Sequence, residues 1–145
     1  MPATKIRVDE IMARNIFAVQ IDDTVHEADE IMKRERVRHV PVLEGKKYVG
    51  LITERTLIEY SLRHLYDYED NMGEFARNKI NDFEKVMLRD IRMIFPEDSV
   101  RKAITIMLKE KVDCLPVVDW DQNLMGLVTS IDILLFFNKK ILDGD

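Results

Sequence analysis

Two threonines in this sequence stand where an apolar run gives way to a helical pattern. Each lies three positions ahead of a second polar side chain: Thr129 before Asp132, and Thr53 before Thr56. Each follows a glycine and two hydrophobic residues, Gly126-Leu127-Val128 and Gly50-Leu51-Ile52. A threonine at the junction of strand and helix sets its hydroxyl beside the free backbone N–H groups of the first turn, and that combination suits a phosphate. The same residues also fit a plainer role, a helix cap followed by a first-turn group that the helix dipole stabilises. For Thr53 and Thr56 the cap is the favoured reading. Other chemistry is missing from the pattern. His26, His39 and His64 share no ligand spacing and no Cys-x-x-Cys occurs, which argues against a metal. No nucleophile has a paired base and no Walker-type lysine motif is present, so an enzyme is the least favoured class.

The elements that position these residues occur twice. Thr24-Val25-His26-Glu27-Ala28, Ile31-Met32, Val40-Pro41-Val42 and Gly50-Leu51-Ile52-Thr53 are matched by Ser99-Val100-Arg101-Lys102-Ala103, Ile106-Met107, Leu115-Pro116-Val117 and Gly126-Leu127-Val128-Thr129. Thr24 and Ser99, Met32 and Met107, and Pro41 and Pro116 are each 75 positions apart, and the offset becomes 76 at Gly50 and Gly126. Two copies with so long a period argue against a solenoid, which needs at least three stacked units. They predict two similar halves packed face to face.

Each copy reads β-α-β-β-α. In the first, Ile16 to Ile21 forms a short strand, and Thr24-x-x-Glu27 fits a capping box at the start of a helix ending near Arg36. Val25, Ala28, Ile31 and Met32 make its apolar stripe. Val37 to Leu43 and Tyr48 to Ile52 form a hairpin turning at Gly45, and a helix follows Thr53. In the second, the strands are Arg92 to Phe95, Val112 to Val118 and Leu124 to Val128, and the last helix spans Ser130 to Lys140. Pro41 and Pro116 cannot donate to a ladder, so each is expected at an edge or a bulge. The expected division is a first motif over 1–66, a linker and entry helix over 67–84, and a second motif over 85–145.

The net charge of −5 disfavours nucleic acid and anionic membranes as partners, and the longest apolar run, Ile133 to Phe137, is too short to span a bilayer. The only cysteine, Cys114, reads as an inert core thiol and allows no intrachain disulfide. Residues 1–10 lack an apolar signal core, and a cytoplasmic address is the expectation. The last helix carries Ile131, Ile133, Leu134, Leu135, Phe136 and Phe137, apolar over more than one face. Leu57, Ile58, Tyr60 and Leu62 do the same in the first copy. Such helices need partners on both sides.

With both copies in view, the chain resembles a tandem pair of CBS domains, a Bateman module. The segments that carry the resemblance are His39-Val40-Pro41-Val42 with Gly50-Leu51-Ile52-Thr53-Glu54-Arg55-Thr56, and Cys114-Leu115-Pro116-Val117-Val118-Asp119 with Gly126-Leu127-Val128-Thr129-Ser130-Ile131-Asp132. It covers nearly the whole chain, and the segment endings are most similar to stand-alone pairs of the acetoin-utilisation type. The resemblance implies an α/β (α+β) fold of two pseudo-symmetric β-α-β-β-α units packed sheet to sheet. It further implies a non-catalytic regulatory module that senses an adenosine-containing ligand (AMP, ADP, ATP or S-adenosylmethionine) in a cleft between the motifs, with no metal required.

By that resemblance, Thr129, Ser130, Ile131 and Asp132 form the better site. The two carboxylate oxygens of Asp132 are expected to accept from a ribose diol. Asn15, Ile16 and Phe17 would hold the base, Val112, Cys114 and Pro116 would form the other wall, and Arg38 and His39 would neutralise phosphate, with Arg36 or Arg55 as further candidates. The second copy has Asp113 and Cys114 where the family often has basic residues. Thr53, Arg55, Thr56 and Ile91 form a weaker site, because Thr56 replaces the aspartate. The resemblance also implies a homodimer through the second helix of each motif, burying Leu134, Leu135, Phe136 and Phe137. A separate regulated protein would read ligand binding, since no output domain is fused. The alternative is a ligand-free dimerisation or interaction scaffold.

Overall fold

The computed structural model describes residues 6–63 and 82–144. These form two units, one of residues 17–90 and one that joins residues 1–16 to residues 91–145. The first copy of the repeat therefore lies in one unit, while the segment preceding it belongs with the second copy.

In the unit of residues 17–90, β1 (Val19–Gln20) leads to α1 (Val25–Glu35), then to β2 (His39–Glu44), β3 (Lys47–Thr53) and α2 (Glu54–Arg63), with a 3-10 turn at Asp82–Lys85. The sheet order is β1-β2-β3, parallel between β1 and β2 and antiparallel between β2 and β3. The expected first strand, Ile16 to Ile21, shrinks to two residues. Asp23 accepts from the Gln20 N–H at 2.8 Å and closes the chain into a turn. α1 starts at Thr24, whose hydroxyl accepts from the Glu27 N–H at 3.3 Å. Only this half of the expected capping box forms, for the Glu27 carboxylate makes no return bond among the described residues. Val25, Ala28, Ile31 and Met32 are buried with Val40, Val42, Ile52, Leu57, Tyr60, Phe83, Val86 and Met87. Residues 64–81, which include most of the expected linker and entry helix, lie outside the described residues.

The other unit repeats the plan with α3 (Val100–Glu110), β4 (Cys114–Val118), β5 (Leu124–Thr129) and α4 (Ser130–Gly144). Its core joins Ile94, Val100, Ala103, Ile106, Met107, Leu115, Val117, Val128 and Ile133 to Ile6, Val8 and Met12. The expected strand over 92–95 is a single parallel bridge from Ile94 to Val117, with Asp98 accepting from the Phe95 N–H at 2.8 Å as Asp23 does from Gln20. α1 and α3 both end on a non-glycine residue in the left-handed region, Arg36 at φ 55° and Lys111 at φ 56°. That conformation costs about 1–2 kcal/mol outside glycine.

The prolines correct one expectation. Pro41 lies in the central strand of its sheet, not at an edge, and the bulge falls one residue later, between Val42 and Leu43. The ladder tolerates it because the residue opposite, Leu51, turns its own N–H and C=O the other way, to Leu88, at 3.0 and 2.7 Å. Pro116 faces Leu127, which bonds Ala13 at 3.0 and 2.8 Å in the same manner. Neither proline is therefore asked to donate to the strand it faces in its hairpin.

These bridges show what precedes each copy. Ala13 adds to β5 and Leu88 adds to β3, and the two positions are 75 apart. Each leader thus pairs with the copy it does not introduce: residues 12–13 serve the second copy and residues 87–88 the first. The close approach requires glycine. A Cβ on Gly126 would stand 2.7 Å from the Ala13 carbonyl oxygen, and one on Gly50 would stand 2.6 Å from Met87 Sδ.

Candidate functional site

The two threonine-centred motifs are helix N-termini, and their bonding differs. β5 ends at Thr129, opposite Cys114, and the Ser130 N–H donates to the Asp113 carbonyl at 2.9 Å, which turns the strand into α4. The Thr129 hydroxyl accepts from the Asp132 N–H at 3.2 Å. In return, Asp132 Oδ2 accepts from the Thr129 N–H and hydroxyl, each at 2.9 Å. This is a reciprocal capping box with aspartate in place of the usual glutamate. Oδ1 of Asp132 has no partner among the described residues. The cap of α4 therefore presents a half-buried carboxylate with one oxygen held and the other open.

At the start of α2, Thr53 pairs with His39, and the Glu54 N–H donates to the Arg38 carbonyl at 2.9 Å. The Thr53 hydroxyl accepts from the Thr56 N–H at 3.0 Å. The Thr56 hydroxyl accepts from the Thr53 N–H at 3.0 Å, donates to the Thr53 carbonyl at 3.0 Å, and lies 3.3 Å from the Thr53 hydroxyl. A hydroxyl offers one donor and two acceptor sites. All of these are engaged at Thr56, so this cap has no open group of the kind Asp132 supplies.

The remaining predicted residues divide between the units. Thr129, Ser130, Ile131, Asp132, Val112, Cys114, Pro116, Asn15, Ile16 and Ile91 belong to one. Within it, Cys114 stands beside Thr129, and Ile91 and Val112 pack on the core. Asn15 and Ile16 follow the Ala13 bridge to β5, and no hydrogen bond joins them to the α4 cap. Phe17, Arg38, His39, Thr53, Arg55 and Thr56 belong to the other unit. There Arg38 and His39 stand beside Thr53, the strand partner of His39, so within their own unit they flank the α2 cap. Arg38 is exposed, while Arg55 is held by Glu59 at 3.1 Å. Burial pushes the Cys114 thiol far up, which keeps it protonated and inert.

The leader residues Met12, Ala13, Met87 and Leu88, which pack against the strands feeding each cap, were missed as structural partners. A signal for them exists: Val8 to Asn15 and Phe83 to Asp90 align at the same offset of 75. Among the described residues there is no cluster of His, Cys, Asp and Glu able to hold a metal, and no helix long and apolar enough to cross a membrane.

The profile of the CBS domain matches twice, at residues 8–63 and 82–139. The chain belongs to the CBS-domain family. Its arrangement is a tandem CBS pair, and it is similar in fold over 94% of its length to an AcuB protein from Vibrio cholerae assigned to acetoin utilization (TM-score 0.77, 25% identity, 93% of that chain covered). It is similar also to the CBS pair of protein MJ0100, solved with 5'-methylthioadenosine and S-adenosyl-L-methionine (TM-score 0.73, 25% identity, covering 92% of this chain and 97% of that one). Among curated proteins, a homoserine O-acetyltransferase of Methanosarcina acetivorans is 28% identical over 135 residues, 92% of this chain but 22% of that enzyme. The chain thus spans under a quarter of that relative's length.

Proposed function

We propose that this CBS pair is a non-catalytic regulatory module that binds an adenosine-containing ligand (AMP, ADP, ATP or S-adenosylmethionine) and transmits binding to a partner protein in the cytoplasm. The observation that carries the reading is the open Oδ1 of Asp132 at the α4 cap, a carboxylate oxygen available to accept from a ribose hydroxyl while Oδ2 holds the cap. The adenosyl ligands of the MJ0100 pair support the ligand class. The saturated hydroxyl of Thr56 supports one tight site per chain, with the α2 cap weak or empty.

Calorimetry with each of the four ligands tests this. One tight site per chain is expected, and two sites of equal affinity refute the role given to the carboxylate. A second reading, a ligand-free scaffold, is favoured by the complete use of the α2 cap in helix stabilisation, and it prevails if no adenosyl ligand raises the melting temperature.

A homodimer through α2 and α4 is part of the proposal. Ile58 and Leu62 on α2 and Ile131, Leu134, Leu135, Ile141 and Leu142 on α4 are all exposed. Phe136 and Phe137, also expected in the interface, are half-buried against the core of their own unit. Light scattering should give about twice 17.1 kDa.

A further inference from the structure

The proposed dimer can join like helices or unlike ones, and the inference here rests on that dimer. We propose that α2 of one copy packs antiparallel on α4 of a second copy, with Glu54 opposite Lys139, Ile58 opposite Leu135, and Leu62 opposite Ile131. The three residues of each set are spaced by four and so share one helix face. All six are exposed; the four apolar ones range from 53% to 65%. Neither Glu54 nor Lys139 has an ion-pair partner among the described residues.

The two stripes read charge-apolar-apolar and apolar-apolar-charge. Antiparallel pairing of unlike helices therefore sets acid against base and apolar against apolar throughout. Pairing of like helices about the same central residues does not. Two copies of α2 centred on Ile58 set Glu54 against Leu62, and two copies of α4 centred on Leu135 set Lys139 against Ile131. Each of those contacts strips water from a charge without a counter-charge. Shape agrees with charge. Beside the α2 stripe lies a groove of about 410 Å³, floored by Met32, Leu57, Ile58 and Leu62 and edged by Asp29, Lys33, Glu54 and Ser61. It can receive the bulk of Leu134 and Leu135, which stand out from α4.

Cysteine cross-linking tests the pairing. Chains carrying Ile58→Cys and chains carrying Leu135→Cys, differently tagged, are coexpressed and oxidised; the native Cys114 is buried and does not compete. The expected result is a cross-link between the two kinds of chain and none in either variant alone. Cross-linking within a single variant, or no cross-link in a mixture that is dimeric by light scattering, overturns the inference. A wild-type monomer by light scattering instead overturns the dimer on which it rests. Charge reversal gives a second readout. Glu54→Lys or Lys139→Glu alone should weaken dimerisation by roughly tenfold, and the double variant should recover it. Failure of the double variant to recover also overturns the pairing.

Discussion

Replacing Gly126 by alanine should destabilise the protein far more than the same change at Gly50, although the two glycines occupy equivalent places. Neither has a positive φ, so backbone strain does not enter. At Gly126 the added methyl meets the Ala13 carbonyl oxygen at 2.7 Å and Met12 Sδ at 2.8 Å. A side chain can turn away, but the carbonyl oxygen cannot without breaking the Ala13–Leu127 pair, whose two bonds measure 2.8 and 3.0 Å. Those bonds contribute about 1 kcal/mol each, and overpacking adds roughly 1–3 kcal/mol. The stiffer unfolded chain offsets about 0.4–1 kcal/mol. The net loss is about 2–5 kcal/mol. At Gly50 the nearest atoms are Met87 Sδ at 2.6 Å and Cγ at 3.0 Å, and the Leu88 carbonyl oxygen stands off at 3.3 Å. An unbranched thioether can change rotamer, so the net loss there is about 1 kcal/mol. Urea unfolding reads both as shifts in midpoint at unchanged slope. Met87→Ala should relieve Gly50→Ala, whereas Met12→Ala should not relieve Gly126→Ala. Equal losses at the two glycines, or relief of Gly126→Ala by Met12→Ala, would refute the argument that the leader backbone is the obstacle.

Three further outcomes are expected. Asp132→Ala should weaken adenosyl binding by roughly tenfold to a hundredfold, the value of about 1.5–3 kcal/mol for a bond to a charged group, while Thr56→Ala leaves the tight site nearly unchanged; calorimetry decides. The Asp119 carboxyl is held below its ordinary range by the backbone N–H of Asn123 and further by the Asn123 side chain and the Asp121 N–H. A depressed folded pKa means its contribution is present above the unfolded value of about 3.9 and is lost as pH falls through the lower folded value, so the Asp121 and Asn123 amide signals should shift only below about pH 4. Cys114 should resist a thiol reagent in the folded protein and react at once in denaturant, and prompt reaction in native buffer would contradict its burial.

The repeat made much of the fold readable, because the residues that define it have local causes. Thr24 and Ser99 are caps, Asp23 and Asp98 close turns, and the stripes from Val25 and Val100 follow helical spacing. The site was legible to the level of residue type. Thr129 and Asp132 do meet, but the sequence could not show that one carboxylate oxygen is held by the cap and the other open. The placement of Pro41 in a central strand was illegible, since it depends on which way the opposite Leu51 directs its bonds. That Phe136 and Phe137 also touch the core of their own unit was not legible, because a one-dimensional pattern cannot tell a helix face that meets its own core from one that meets a neighbour. The leaders escaped for a similar reason: Ala13 and Leu127 are 114 positions apart, and no short-range signal links them.

The exchange of leaders bears on how the chain acquires its structure during synthesis. The unit of residues 17–90 is continuous and has all its parts once Leu88 is made. The other unit begins first and finishes last, because Ile6, Val8 and Met12 have no core to join until α3 and β5 emerge. At about 5–20 residues per second, those apolar side chains wait several seconds on the ribosome. The unit of residues 17–90 can fold in that interval, which would reduce the entropy of closing so long a loop. Vectorial synthesis thus completes the parts of the inner unit before those of the outer, an order of availability that refolding of the whole chain from denaturant does not impose.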